Sequence, residues 1–131
     1  MPAVQIRTNA SYTGEAKKKL LREATRVMVE IAHKNEEAVM VTLQQVDGTM
    51  GNTADPFVFI DVRSMVGIDH RTNNDVCAAL TKITAEALGA SPERTYATFQ
   101  QIPETCWGLS GGIAVWDAAT RVWVVNGEPC K

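Results

Sequence analysis

The chain has 131 residues, room for one domain that buries about two-thirds of its unfolded surface without a disulfide or metal staple. Its 13 Lys and Arg against 15 Asp and Glu leave a formal net charge of −2. That balance excludes an overall field holding it to nucleic acid or an anionic membrane, and favours a small-molecule or protein partner.

The first element is a strand over Ala3 to Thr8, starting directly after Pro2, with Ala3, Gln5 and Arg7 on one face and Val4, Ile6 and Thr8 on the other. From Glu15 to His33, Leu20, Leu21, Ala24, Val27, Met28 and Ile31 recur at helical spacing, and Lys17, Lys18, Arg22 and Glu30 cover much of the remaining surface. Ala38 to Val46 reads as a second strand, followed by turn signals at Asp47-Gly48 and Gly51-Asn52. That completes one β-α-β unit. The order then repeats. Phe57 to Val62 is a strand, interrupted by Gly67 with Asp69. A helix follows, with Thr72 and Asp75 spaced as a capping box, a stripe of Val76, Ala79, Leu80, Ile83 and Ala87, and Gly89 as its stop. Ser91-Pro92 turns the chain into a strand from Arg94 to Ile102. Two β-α-β units in series predict an α/β (α+β) fold: a four-stranded mixed sheet with two helices on one face.

Beyond Trp107 the glycines at 108, 111 and 112 predict a flexible linker; GLSGG has the composition of a phosphate loop but neither its lysine nor a following helix. Ile113 to Trp116 and Arg121 to Val125, around residues 117–120, predict a C-terminal β-hairpin. Two such strands are marginal alone, and Val115, Trp116, Val122, Trp123 and Val124 are too apolar to stay in water as one patch, so they are expected to pack on another subunit or over the sheet edge. The whole chain, 1–131, is one domain, with a core over 2–112 and an extension over 113–131.

The sequence carries no HExxH, nucleophile elbow or paired cysteine ligands, and His33 and His70 read as surface residues at helix edges. Cys77, Cys106 and Cys130 are widely spaced and odd in number, which reads as reduced thiols of a cytoplasmic protein. No export signal is visible and no segment approaches the ~20 apolar residues of a membrane span. What remains is Pro2. Met followed by Pro is normally trimmed, leaving a secondary amine whose pKa, about 7.7–8.0 for an ordinary α-amino group, falls with desolvation or a nearby cation. Such an amine can take a proton from a carbon beside a carbonyl at neutral pH.

Several segments in order, MPAVQIRTN, HK-NEEAVMVTL, MGNTADPFVFIDVRSMVGI and ALGASPERTYATF, then Trp107 and its glycine-rich sequel, resemble the macrophage migration inhibitory factor branch of the tautomerase superfamily over about residues 2 to 112. The resemblance implies a cofactor-independent keto–enol tautomerase of an α-keto acid such as phenylpyruvate, with Pro2 as general base. It implies Lys34 as the anchor of the substrate's carboxylate or carbonyl oxygen, and Ser64 and Met65 as the segment whose backbone N–H binds the carboxylate. Tyr96 and Thr98 would reach into a neighbouring subunit's site in a homotrimer, and Trp107 would form an apolar wall. Lys34 read without the resemblance is a cation at a helix C-terminus. Ala38, and Gly112 with Ile113, stand where relatives often carry aromatics, which implies a wider pocket or one less suited to aromatic substrates. The CxxC of the vertebrate cytokine is absent, so its oxidoreductase activity does not carry over. The family also admits a signalling protein with vestigial activity, released by non-classical secretion, and a proline-dependent decarboxylase or dehalogenase. Relatives that hydrate or decarboxylate small acids use pocket arginines, but alternation puts Arg63 beside Asp61, where it reads as a surface ion pair.

Overall fold

A computed structural model describes residues 1–65 and 68–130. Strand β1 (Pro2–Thr8) leads to helix α1 (Gly14–Glu30), then β2 (Met40–Gln45), β3 (Val58–Ser64), helix α2 (His70–Leu88) and β4 (Thr95–Gln101). The sheet order is β2-β1-β3-β4, parallel between β1 and β2 and between β3 and β4, antiparallel where the two units meet at β1 and β3. This is the expected mixed sheet of two β-α-β units.

Alternation decides the two faces. Val4 and Ile6 of β1 and Val58, Ile60 and Val62 of β3 are buried with Leu20, Ala24 and Met28 of α1 and Val76 and Leu80 of α2 in one core. Both helices therefore cover that face. Full burial of each large aliphatic side chain contributes roughly 1.5–3 kcal/mol. Thr8 occupies a core-facing position yet is satisfied, its hydroxyl donating to the Phe57 carbonyl at 2.8 Å and accepting from the Ala10 N–H at 3.0 Å. The opposite face has no helix over it. Register lines up its side chains in three rows: Met40, Ala3, Arg63 and Gln100; Thr42, Gln5, Asp61 and Thr98; Gln44, Arg7, Phe59 and Tyr96.

Element boundaries shift from expectation where side chains or turns intervene. Thr13 caps α1, accepting the Ala16 N–H at 3.1 Å. The helix stops at Glu30 because His33 takes a left-handed φ of 55° and Lys34 donates its N–H back to the Met28 carbonyl at 3.0 Å. Strand β2 starts at Met40 rather than Ala38 because the Asn35 side chain accepts the Glu37 N–H and residues Glu36–Ala38 close a 3₁₀ turn. Helix α2 opens at His70, not Thr72. Its cap is Asp69, whose carboxylate accepts the Thr72 N–H at 2.7 Å, and hydrogen bonding to Thr72 holds its pKa below the usual carboxylate value. Gly89, with φ 73°, ends that helix as expected. The interruption expected at Gly67 lies outside the described residues.

The link between the two units is tied from both sides. The Arg94 guanidinium donates to the carbonyls of Met50, Thr53, Asp55 and Pro56. Asn9 donates to Ala54 and Asp55 and accepts the Phe57 N–H at 2.9 Å.

The C-terminal region is more ordered than a linker and a hairpin. Strands β5 (Gly108–Leu109) and β6 (Gly112–Ile113) pair across Ser110 and Gly111, both at positive φ, so GLSGG is a tight hairpin. Three further strands, β7 (Val115–Asp117), β8 (Val122–Val125) and β9 (Glu128–Pro129), form a meander. Trp116 and Trp123 face each other across β7 and β8, ring centres 5.2 Å apart in an edge-on contact.

Candidate active site

Pro2 is the first residue of β1, where a strand tolerates a missing N–H. It is buried, on the core side, and pairs in register with Ser64 at the end of β3. Ser64 is itself buried, and its carbonyl accepts the Ile102 N–H at 2.8 Å as β4 ends beside it. Met65 follows, only 2% exposed, so in the single chain it is packed inside rather than presented as an open wall.

Lys34 arrives at the same end of the molecule from the exit of α1. The chain's amino group has its pKa lowered, first by burial and then by the charge of Lys34, and burial lowers the pKa of Lys34 too. Two cationic groups thus share a partly desolvated place beside Pro2 and Ser64. Trp107 stands past the same end of β4, half-buried, its carbonyl accepting the Ala114 N–H at 3.2 Å.

Tyr96 and Thr98 are elsewhere. Both are on the open sheet face, whereas Pro2 is on the helix-covered one. Tyr96 is five residues along β4 from Gln101, the residue aligned with Ser64, a span of roughly 16 Å at about 3.3 Å per residue. Tyr96 is 61% exposed, and the Thr98 hydroxyl donates to Asp61 at 3.1 Å. Within one chain neither residue meets Pro2. Arg63 pairs with the same Asp61 at 3.4 Å, the surface ion pair that alternation predicted.

One residue that the sequence reading passed over matters here. Glu104 accepts the Trp116 N–H at 2.9 Å, fastening the C-terminal meander to the segment that carries Trp107; an acid twelve residues away leaves no sequence signature. Among the described residues no group of three or more His, Cys, Asp and Glu side chains could hold a metal ion, and no helix is long and apolar enough to cross a membrane.

The model of the macrophage migration inhibitory factor (MIF) family matches residues 1–115. The chain belongs to that family. Among solved structures it is similar to MIF of Toxoplasma gondii, at 28% identity and TM-score 0.78, covering 82% of this chain and 96% of that one. A MIF homologue from Prochlorococcus marinus is similar at 25% identity and TM-score 0.78, covering 83% and 96%. A protein named Pt0534, solved after inactivation by 2-oxo-3-pentynoate, shares the fold at 24% identity and TM-score 0.77, covering 85% and 94%. No curated protein matches the chain. The MIF-family match stops at residue 115, within β7, so most of the meander lies beyond it.

Proposed function

We propose that this MIF-family chain is a cofactor-independent keto–enol tautomerase of small α-keto acids, phenylpyruvate being the first to test. The observation that carries this reading is the chain's amino end, held partly buried next to Lys34 with its pKa pushed down. Removing Met1 transfers the amine to Pro2, a buried residue, so desolvation disfavours its protonated form further. The free amine takes a proton from the carbon beside the substrate's carbonyl, and the resulting enolate takes one at oxygen, so the net change is isomerisation. Lys34 holds the anionic end of the substrate, and a bound carboxylate relieves the repulsion between the two cations. Backbone N–H groups of the Ser64–Met65 segment supply further donors, and Trp107 is the apolar wall.

Tyr96 and Thr98 enter this reading only through a second copy, because their own Pro2 is at the other end of the sheet. A homotrimer with sites between subunits meets that requirement. Arg63, the arginine that would favour a decarboxylase, is paired with Asp61. A binding role is favoured by one observation, the exposed Val115 and Trp116 of the meander.

Ketonisation of enol-phenylpyruvate by the Met1-processed protein, followed by ultraviolet absorbance, tests the proposal. Pro2→Ala, with processing checked by intact mass, is expected to lose about 10²–10⁴-fold in kcat/KM. Equal activity in the variant rejects the proline base, and an inactive processed protein favours the binding role. Incubation with 2-oxo-3-pentynoate is expected to add one inhibitor mass to Pro2, its amine adding across the carbon–carbon triple bond.

The pH profile follows from the two shifts. The base must be unprotonated, so kcat/KM rises with pH through the amine's pKa, at a midpoint below the ordinary α-amino range of about 7.7–8.0. Lys34→Gln removes a cation that opposes protonation, and therefore moves this midpoint upward. The falling limb, where Lys34 loses its charge, comes below the ordinary lysine value of about 10.4.

A further inference from the structure

The segment from Pro103 to Trp107 carries the apolar wall of the proposed site, yet burial within the chain does not place it, because residues 103–106 are all exposed. Hydrogen bonds place it instead. Glu104–Cys106 form a single 3₁₀ turn, and the Trp107 N–H reaches the Glu104 carbonyl at a long 3.3 Å. Two ties come from farther along the chain: the Ala114 N–H donates to the Trp107 carbonyl at 3.2 Å, and the Trp116 N–H donates to Glu104 Oε1 at 2.9 Å. The second is the shorter, and its acceptor is a carboxylate, which makes the stronger kind of hydrogen bond. We infer that the C-terminal meander sets the substrate selectivity of the Pro2 site, with Glu104 as the positioning residue through which it holds Trp107, a step that rests on the tautomerase reading above.

The strand that supplies these ties is itself held. Strand β7 pairs along its length with β8, Trp116 opposite Trp123. At the far end of β8 the chain closes down on the β5–β6 hairpin: a Cβ on Gly112 would stand 2.6 Å from Val125 Cγ1 and 2.9 Å from Asn126 Nδ2, closer than atoms pack. Val125 is buried there, as is Ala114. The meander is thus joined to the hairpin twice, through the chain at Ala114 and by packing at Gly112, and Glu104 joins this frame to the turn before Trp107. All of these contacts lie within one chain, so they do not depend on what a second copy covers. Of the meander only Val115 falls within the MIF-family match.

A wall fixed in advance favours the substrates that lean on it, because less ordering remains to be done when they bind. An α-keto acid with an apolar ring gains from a fixed Trp107. Pyruvate, with only a methyl group, draws little from it.

The test compares the full-length, Met1-processed protein with Glu104→Ala and Glu104→Gln. For enol-phenylpyruvate, Glu104→Ala is expected to raise KM about three- to tenfold, the equivalent of roughly one hydrogen bond, with kcat little changed. Deuterium exchange at the methyl carbon of pyruvate is expected to proceed as in the wild type. Glu104→Gln keeps an oxygen acceptor and is expected to recover most of the wild-type KM. Gly112→Ala, which forces Val125 and Asn126 off their seat, is expected to reproduce the Glu104→Ala pattern from the other side. In fluorotryptophan-labelled protein the ¹⁹F resonance of Trp107, assigned with Trp107→Phe, is expected to move in Glu104→Ala and return in Glu104→Gln. Equal losses on both substrates, a Glu104→Gln as impaired as Glu104→Ala, or an unmoved Trp107 resonance overturns the inference and leaves the tautomerase reading standing. A fall in native mass in Glu104→Ala also overturns it, by showing that the meander acts by joining copies. A wild-type protein inactive on both substrates rejects the tautomerase reading, and the selectivity falls with it.

Discussion

The sheet-and-helix core and the C-terminal meander are built on different physics. In the core, strand alternation and helical stripes bring Val4, Ile6, Leu20, Met28, Ile60 and Leu80 into one buried cluster. In the meander, strands of two to four residues are organised by turns. Asp117 accepts from Ala119 and Thr120, Asn126 and Gly127 both take positive φ, and Val115 and Trp116 remain 57% and 43% exposed. Burial makes a region cooperative with the whole domain, whereas turn chemistry makes one that can open by itself.

The contrast can be broken most forcefully in the core. Ile60→Ala removes a fully buried side chain between sheet and helices, and a loss of about 2–5 kcal/mol in urea unfolding is expected. A loss comparable to that of a surface substitution would show that the core is not the cooperative unit. Asp69→Ala, which deletes the cap of α2, is expected to lower the midpoint of the same transition by less than Ile60→Ala does. The smallest global effect belongs to Trp123→Ala. The lost edge-on pair is worth about 0.5–1.5 kcal/mol, registered locally: faster amide exchange over residues 115–129 with the main unfolding midpoint unchanged. A shift of that midpoint would merge the two regions into one.

The same division explains what the sequence revealed. The doubled β-α-β order was legible because periods of two and of 3.6 residues alternate along the chain, and Gly89 marked its helix end. Boundaries were lost where a side chain captured a backbone N–H, as Asn35 does before β2 and Asp69 before α2. In the C-terminal region glycine content was read as flexibility, although Ser110-Gly111 and Asn126-Gly127 supply the positive-φ pairs that tight hairpins need. Pro2 was nameable from its place after Met1 and Lys34 from the resemblance to the family, but their sharing of one end of the molecule depends on how α1 packs and how β1 pairs with β3. The separation of Tyr96 from Pro2 follows from sheet register, which no local pattern records.

Arg94 and Asn9 have a consequence for the integrity of the chain as one piece. Each reaches the connection between the two β-α-β units from a different unit, and together they hold the backbone of residues 50–57 by side-chain hydrogen bonds. Most of the antiparallel seam between β1 and β3 and all of the shared core lie outside that connection. Severing the peptide bond between Gly48 and Thr49 would therefore leave two halves that still recognise one another, and two separately produced fragments should reassemble into the intact domain.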